Sequence, residues 1–117
     1  MKKIELFIII YEFLKSYKEK NVVSESFNHF LYDSNPYVWK DCISADPALY
    51  KEFEQYIGNR TISLENGFDI AKEYIHSLKD EYYDLAEIKK AFDSINRDEW
   101  IKWCTGLMSK PLKKDVY

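Results

Sequence analysis

The sequence predicts an all-α fold, a compact single-domain bundle of six to seven helices, and three observations carry that prediction. Apolar residues recur at three- and four-residue steps along nearly the whole chain, and no run alternates with period two. Glycine and proline are scarce, three of each in 117 residues, which favours long helices and short connections. Ser, Asp or Asn stands in front of most periodic segments, where a helix needs an acceptor for its first free amides. A composition of 46% hydrophobic and 32% charged residues is that of a folded chain, and 117 residues make one domain, 1–117.

Residues 2–20 read as the first helix, with Ile4, Phe7, Ile8, Tyr11 and Leu14 on one stripe. Ile9, Ile10 and Phe13 widen it past half the circumference, so this helix is expected at the centre, contacted on several sides. Ser24 caps a second helix whose face is Phe27, Phe30 and Leu31. Asp33-Ser34-Asn35-Pro36 stops it and restarts a third, short helix with Val38, Trp39, Cys42 and Ile43 on one face. Asp46-Pro47 repeats the cap-then-proline device for a fourth, lined by Leu49, Tyr50, Phe53 and Ile57 and ended by Gly58. Ser63 opens a fifth along Leu64, Phe68, Ala71, Ile75 and Leu78. Its Gly67 either weakens the first turn, by ~1 kcal/mol relative to Ala, or permits a close helix contact. Asp84 with Glu87, and Asn96 with Glu99, have capping-box spacing for a sixth and a seventh helix. Trp100, Cys104 and Leu107 point inward on the last, Trp103 lies partly off that face, and residues 110–117 read as a loose tail.

The formal net charge is −3, unevenly spread. Lys2, Lys3, Lys110, Lys113 and Lys114 lie at the ends, while residues 4–109 hold 19 of the 20 acids and 12 of the 17 bases, a net −7. An acidic body repels phosphate and attracts basic partners, and a charge of this size also serves plain solubility. Nucleic-acid binding is therefore not expected. The apolar run at Phe7–Tyr11 is far short of the ~20 residues of a membrane span, and two cysteines fit reduced thiols in a cytoplasmic protein.

Catalytic and metal chemistry find little support. His29 and His76 have no metal-site spacing, there is no Cys-x-x-Cys, and there is no glycine-rich phosphate loop. Cys42 and Cys104 fall on apolar faces, where thiols are usually inert. No enzyme, metal or cofactor is expected.

The stretch left over is Lys79–Glu87, with Asp80, Glu81, Tyr82, Tyr83 and Asp84. Adjacent tyrosines diverge by about 100° on a helix, so at least one should be exposed. Asp80 and Glu81 stand near the end of the fifth helix, where the helix dipole disfavours acids, a local cost of the kind functional sites carry. An exposed tyrosine among carboxylates suits a basic protein surface, and Asp41, Asp46 and Glu54 extend the patch if their helices lie beside it.

Asp80-Glu81-Tyr82-Tyr83-Asp84 resembles the acidic helix and adjacent tyrosine pair with which immunity proteins of the colicin-DNase family engage a basic toxin. The chain is more similar in kind to the mixed group of bacterial immunity proteins from contact-dependent growth inhibition and related polymorphic toxin systems. The resemblance covers five residues. It implies a non-enzymatic inhibitor that neutralises a basic toxin domain, a nuclease in that family; a monomer or weak dimer is expected. A helical adaptor that binds a peptide or helix in an aromatic groove is the alternative.

Overall fold

The helix α1 (Lys3–Lys20) is the element the others cover. The computed structural model describes residues 1–38, 43–79 and 83–108, and in them five further helices follow: α2 (Glu25–Asp33), α3 (Pro47–Ile57), α4 (Leu64–Ser77), α5 (Ala86–Asp93) and α6 (Arg97–Met108). There is no strand among the described residues. The fold is the expected all-α bundle.

Every residue from Leu6 to Tyr11 is buried, together with Ile4, Phe13 and Leu14, and α2, α3, α4 and α5 all pack on α1. Three consecutive isoleucines each cost a helix a few tenths of a kcal/mol in propensity. Burying each side chain is worth about 1.5–3 kcal/mol, so enclosure on all sides decides for helix. Two aromatic clusters flank α1. On one side Phe7 meets Tyr50 and Phe53 from α3, and Phe53 meets Tyr74 from α4. On the other side Phe13 meets Phe92, Trp100 and Trp103. Trp103 is half-buried, as its offset from the inward face requires.

The caps follow local chemistry. Ser24 Oγ accepts from the Phe27 amide at 3.2 Å, and Asp46 Oδ1 from Ala48 at 3.1 Å with Pro47 in the first turn. Ser63 with Asn66, and Asn96 with Glu99, form reciprocal boxes. Gly58 ends α3 at φ +59°, a backbone region that side chains with a Cβ rarely enter.

The expected third helix is not supported at either end. Residues 36–37 are turn and 38 and 43–46 are bend, while 39–42 lie outside the described residues. Asn35 Oδ1 accepts from the Tyr37 amide at 2.8 Å, a side-chain turn that competes with helix initiation. The ends of the loop then pair: Ala45 N donates to Asn35 O and Asp46 N to Asp33 O, both at 2.9 Å. Buried Ser44 seals it, accepting from the Tyr50 amide and donating to the Asp46 carbonyl.

The packing around Gly67 does not require a glycine, so its cost to the first turn of α4 stands. Gly67 is buried, and a Cβ built there would lie 3.7 Å from Leu6 Cδ1 and 4.0 Å from Ile62 Cγ2, ordinary packing distances. Gly67→Ala is therefore expected to stabilise the protein by about 0.5–1 kcal/mol, read as a raised urea midpoint at unchanged slope. A lowered midpoint means that α1 and α4 cannot yield the space.

Candidate functional site

A cleft of about 480 Å³ opens between α3, the end of α4 and residues 83–85. Its floor is apolar: Phe30, Leu49 and Leu85 are buried there, and Leu78 is half-buried. Its rim is polar, with Asp46, Glu52, Ser77, Lys79 and Tyr83. Each wall has a local cause. The N-terminal half of α3 presents Ala48, Leu49 and Glu52 to the cleft, because Glu52 lies four and three positions past Ala48 and Leu49. α4 stops at Ser77, with Leu78 already extended at φ −67°, ψ 142°.

Tyr83 connects this cleft to α2. Its ring meets Phe30 edge-on with centroids 5.4 Å apart and His29 at 5.1 Å. Its hydroxyl donates to Asp33 Oδ2 at 2.5 Å, and the same oxygen lies 3.4 Å from His29 Nε2. Burial first, then the Asp33 hydrogen bond and the charges of Asp33, Asp46 and Glu52 push the Tyr83 pKa far up. The phenol therefore stays a neutral donor amid carboxylates. A tyrosine held on three sides is also a structural residue; Tyr83 is half-buried, and Tyr82, the other member of the pair of which at least one was expected to be exposed, lies outside the described residues.

A second tie lies four residues on. Both Glu87 carboxylate oxygens accept from the Ser24 amide at 3.2 Å. The expected Asp84–Glu87 box is thereby corrected. α5 begins at Ala86 behind Leu85, so Asp84 lies outside the capping position and its Oδ1 accepts from Ala86 at 3.1 Å. Glu87 serves α2 instead. In a capping box the residue three past the cap supplies that carboxylate, but here it is Phe27, wholly buried in the core. Residue 83 is thus tied to the last residue of α2 and residue 87 to its N-cap, so the segment runs antiparallel along α2 and fixes one wall of the cleft.

The sequence-predicted patch divides. Asp46 and Tyr83 line the cleft together. Asp84 is exposed between two lining residues but does not itself line the cleft. Glu54 is exposed on α3 two positions beyond Glu52, about 200° around the helix, so it belongs to another face. Its charge is felt instead at Tyr50, whose hydroxyl is pushed up to about 12, chiefly by burial. Asp41, Asp80, Glu81 and Tyr82 lie outside the described residues. The dipole argument for Asp80 and Glu81 lapses, because α4 ends at Ser77 and both positions fall beyond its last turn. Sequence reasoning missed Asp33 and Glu52. The i, i+3 spacing of Glu52 from Leu49 was the available signal, but choosing it over Glu54 needed the position of residues 83–85.

Among the described residues the other titratable groups make no comparable site. Asp93 is shared by His76 at 2.9 Å and Lys72 at 3.4 Å, and the His76 hydrogen bond, then Lys72, holds its carboxyl below the usual range. Lys72 is half-buried and His76 and Asp93 are exposed, as are Arg97 and Asp69, and such surface pairs typically contribute little. Cys104 is fully buried and its thiol is pushed up to about 12 by that burial, so it is no ready nucleophile. Among the described residues no group of His, Cys, Asp and Glu could hold a metal ion, and no helix is long and apolar enough to cross a membrane. The chain matches no protein-family model, no curated protein and no solved structure.

Proposed function

We propose that this protein is a non-enzymatic binding domain that captures a basic protein partner, acting as a bacterial immunity protein does when it covers the cationic surface of a toxin domain. The observation that carries the reading is the cleft, with its apolar floor and with Asp33, Asp46 and Glu52 acting together on Tyr83. Carboxylates of one sign on a concave surface steer a cationic partner and orient it, while the apolar floor supplies contact area. Occlusion then follows: a nuclease whose basic groove faces these carboxylates cannot hold phosphate there. Asp80, Glu81 and Tyr82 join Lys79 to Tyr83 in sequence, and both of those residues line the cleft.

The adaptor reading keeps one specific support. The cleft is concave and has aromatic side chains, Phe30 and Tyr83, in its lining, as a peptide groove would. Salt separates the two, since electrostatic capture loses association rate steeply as ionic strength rises and groove binding does not.

The partner to assay is a basic C-terminal domain encoded directly upstream of this chain. Replacing Glu52, Asp80 and Glu81 by lysine is expected to slow association on the order of tenfold at low salt, with the far-UV spectrum unchanged. Asp46 is left in place because it caps α3. Equal association rates for the triple variant and the parent sink the acidic-face reading. An upstream region that encodes only metabolic enzymes sinks the toxin assignment.

A further inference from the structure

We infer that the cleft is a socket for one lysine or arginine side chain of the partner, its aliphatic stem on the apolar floor and its cationic head at Glu52. The inference rests on the basic-partner reading and adds the chemistry of the inserted group. A volume of about 480 Å³ falls within the ~300–1,000 Å³ of pockets that hold small ligands, so a side chain and its adjoining backbone have room.

The floor and the rim ask for different things. Phe30, Leu49 and Leu85 back the floor, Ala48 and half-buried Leu78 offer its free apolar surface, and Asp46 and Glu52 line the rim. A leucine or phenylalanine would satisfy the floor but bring apolar atoms against two carboxylates, stripping their water without a counter-charge. A short acidic or neutral polar group would leave the floor uncovered. Lysine and arginine carry a long apolar stem and a terminal cation, and meet both demands.

The charge distribution singles out Glu52 as the acceptor. Asp33 accepts from Tyr83 and Asp46 accepts from Ala48, so each carboxylate already has a donor. Glu52 makes no hydrogen bond and no ion pair among the described residues, yet its charge reaches the hydroxyls of Tyr74 and Tyr83. The end of α4 at Ser77 and Leu78 adds partial negative charge on the opposite side. Two cations of the chain itself stand nearby. Lys89 Nζ is engaged by the Leu78 carbonyl at 3.3 Å, and Lys79 is exposed on the rim. They leave Asp33, Asp46 and Glu52 in the majority.

The test uses the full chain and a capped pentaglycine whose central residue is lysine, with a norleucine twin that has the stem but no cation. Two-dimensional NMR should show saturable shifts at the amides of Leu78, Tyr83 and Leu85 with the lysine peptide and weaker ones with the twin. Glu52→Gln should weaken the lysine peptide roughly fivefold, the upper end for an exposed ion pair, while Glu65→Gln at the far end of α4 changes nothing. Stronger shifts with norleucine overturn the inference in favour of an apolar occupant. Shifts spread over all exposed carboxylates, or an unchanged affinity in Glu52→Gln, overturn it as well. If any of these occurs while the triple lysine variant still slows capture of the basic domain, the basic-partner reading stands and only the socket falls.

Discussion

Trp100→Ala is expected to cost about 3–5 kcal/mol, the largest effect of any single truncation proposed for this protein. Trp100 is 1% exposed and its ring meets Phe13, Phe68, Phe92 and Trp103, with centroids 5.4–5.8 Å away. It therefore joins α1, α4, α5 and α6 at one point, and the bulky rings around it refill a void poorly. A domain of this size has roughly 5–15 kcal/mol of stability in total, so the variant should be marginal at 37 °C. Equilibrium urea unfolding checks it: the midpoint should fall by about 2 M at an unchanged slope. Trp100→Phe, which keeps an aromatic ring in the cluster, should lose clearly less. A midpoint shift below about 0.5 M for the alanine variant would mean that the cluster relaxes around the gap, and would falsify the assignment of Trp100 as its centre.

Glu87→Ala is expected to destabilise by about 1–3 kcal/mol, a large effect for a residue that is only half-buried. Two losses combine. The Ser24 amide loses both carboxylate oxygens, and the first turn of α5 loses an acid that suits the positive end of its dipole. Glu87→Gln keeps one acceptor oxygen and should recover part of the loss. Hydrogen exchange gives the sharper measurement, because the Ser24 amide should lose protection in Glu87→Ala ahead of the amides of α1. Were Glu87 a local cap of α5, the change would appear at the amides of α5 and Ser24 would be untouched. The cleft should feel the substitution too, since Glu87–Ser24 and Tyr83–Asp33 together hold residues 83–87 along α2.

What could be read in the sequence was what neighbours in sequence decide. The six helices, the central place of α1, the caps at Ser24, Asp46, Ser63 and Asn96, and the glycine stop at Gly58 all depend on residues within about one turn of each other. Even there one local competition went the other way. Pro36 looked like a first helical turn, but the Asn35 side chain had already taken the Tyr37 amide and made a turn.

Carboxylates were harder, because a carboxylate's partner need not be close in sequence. Asp84 and Glu87 have the spacing of a box, yet the Ser24 amide 63 positions away took Glu87, since Phe27 occupies the place its own helix would have given to an acid. Glu52 and Glu54 are both exposed acids on α3, and although Glu52 stands three residues past Leu49, only the packing of residues 83–85 against α3 puts the first in the cleft and leaves the second on another face. The sequence by itself determined an all-helical chain with an acidic, aromatic surplus around residues 79–87. The tertiary structure alone decided which acids meet, because periodicity and capping act over a few residues while charge and hydrogen bonding act across whatever surfaces the core brings together.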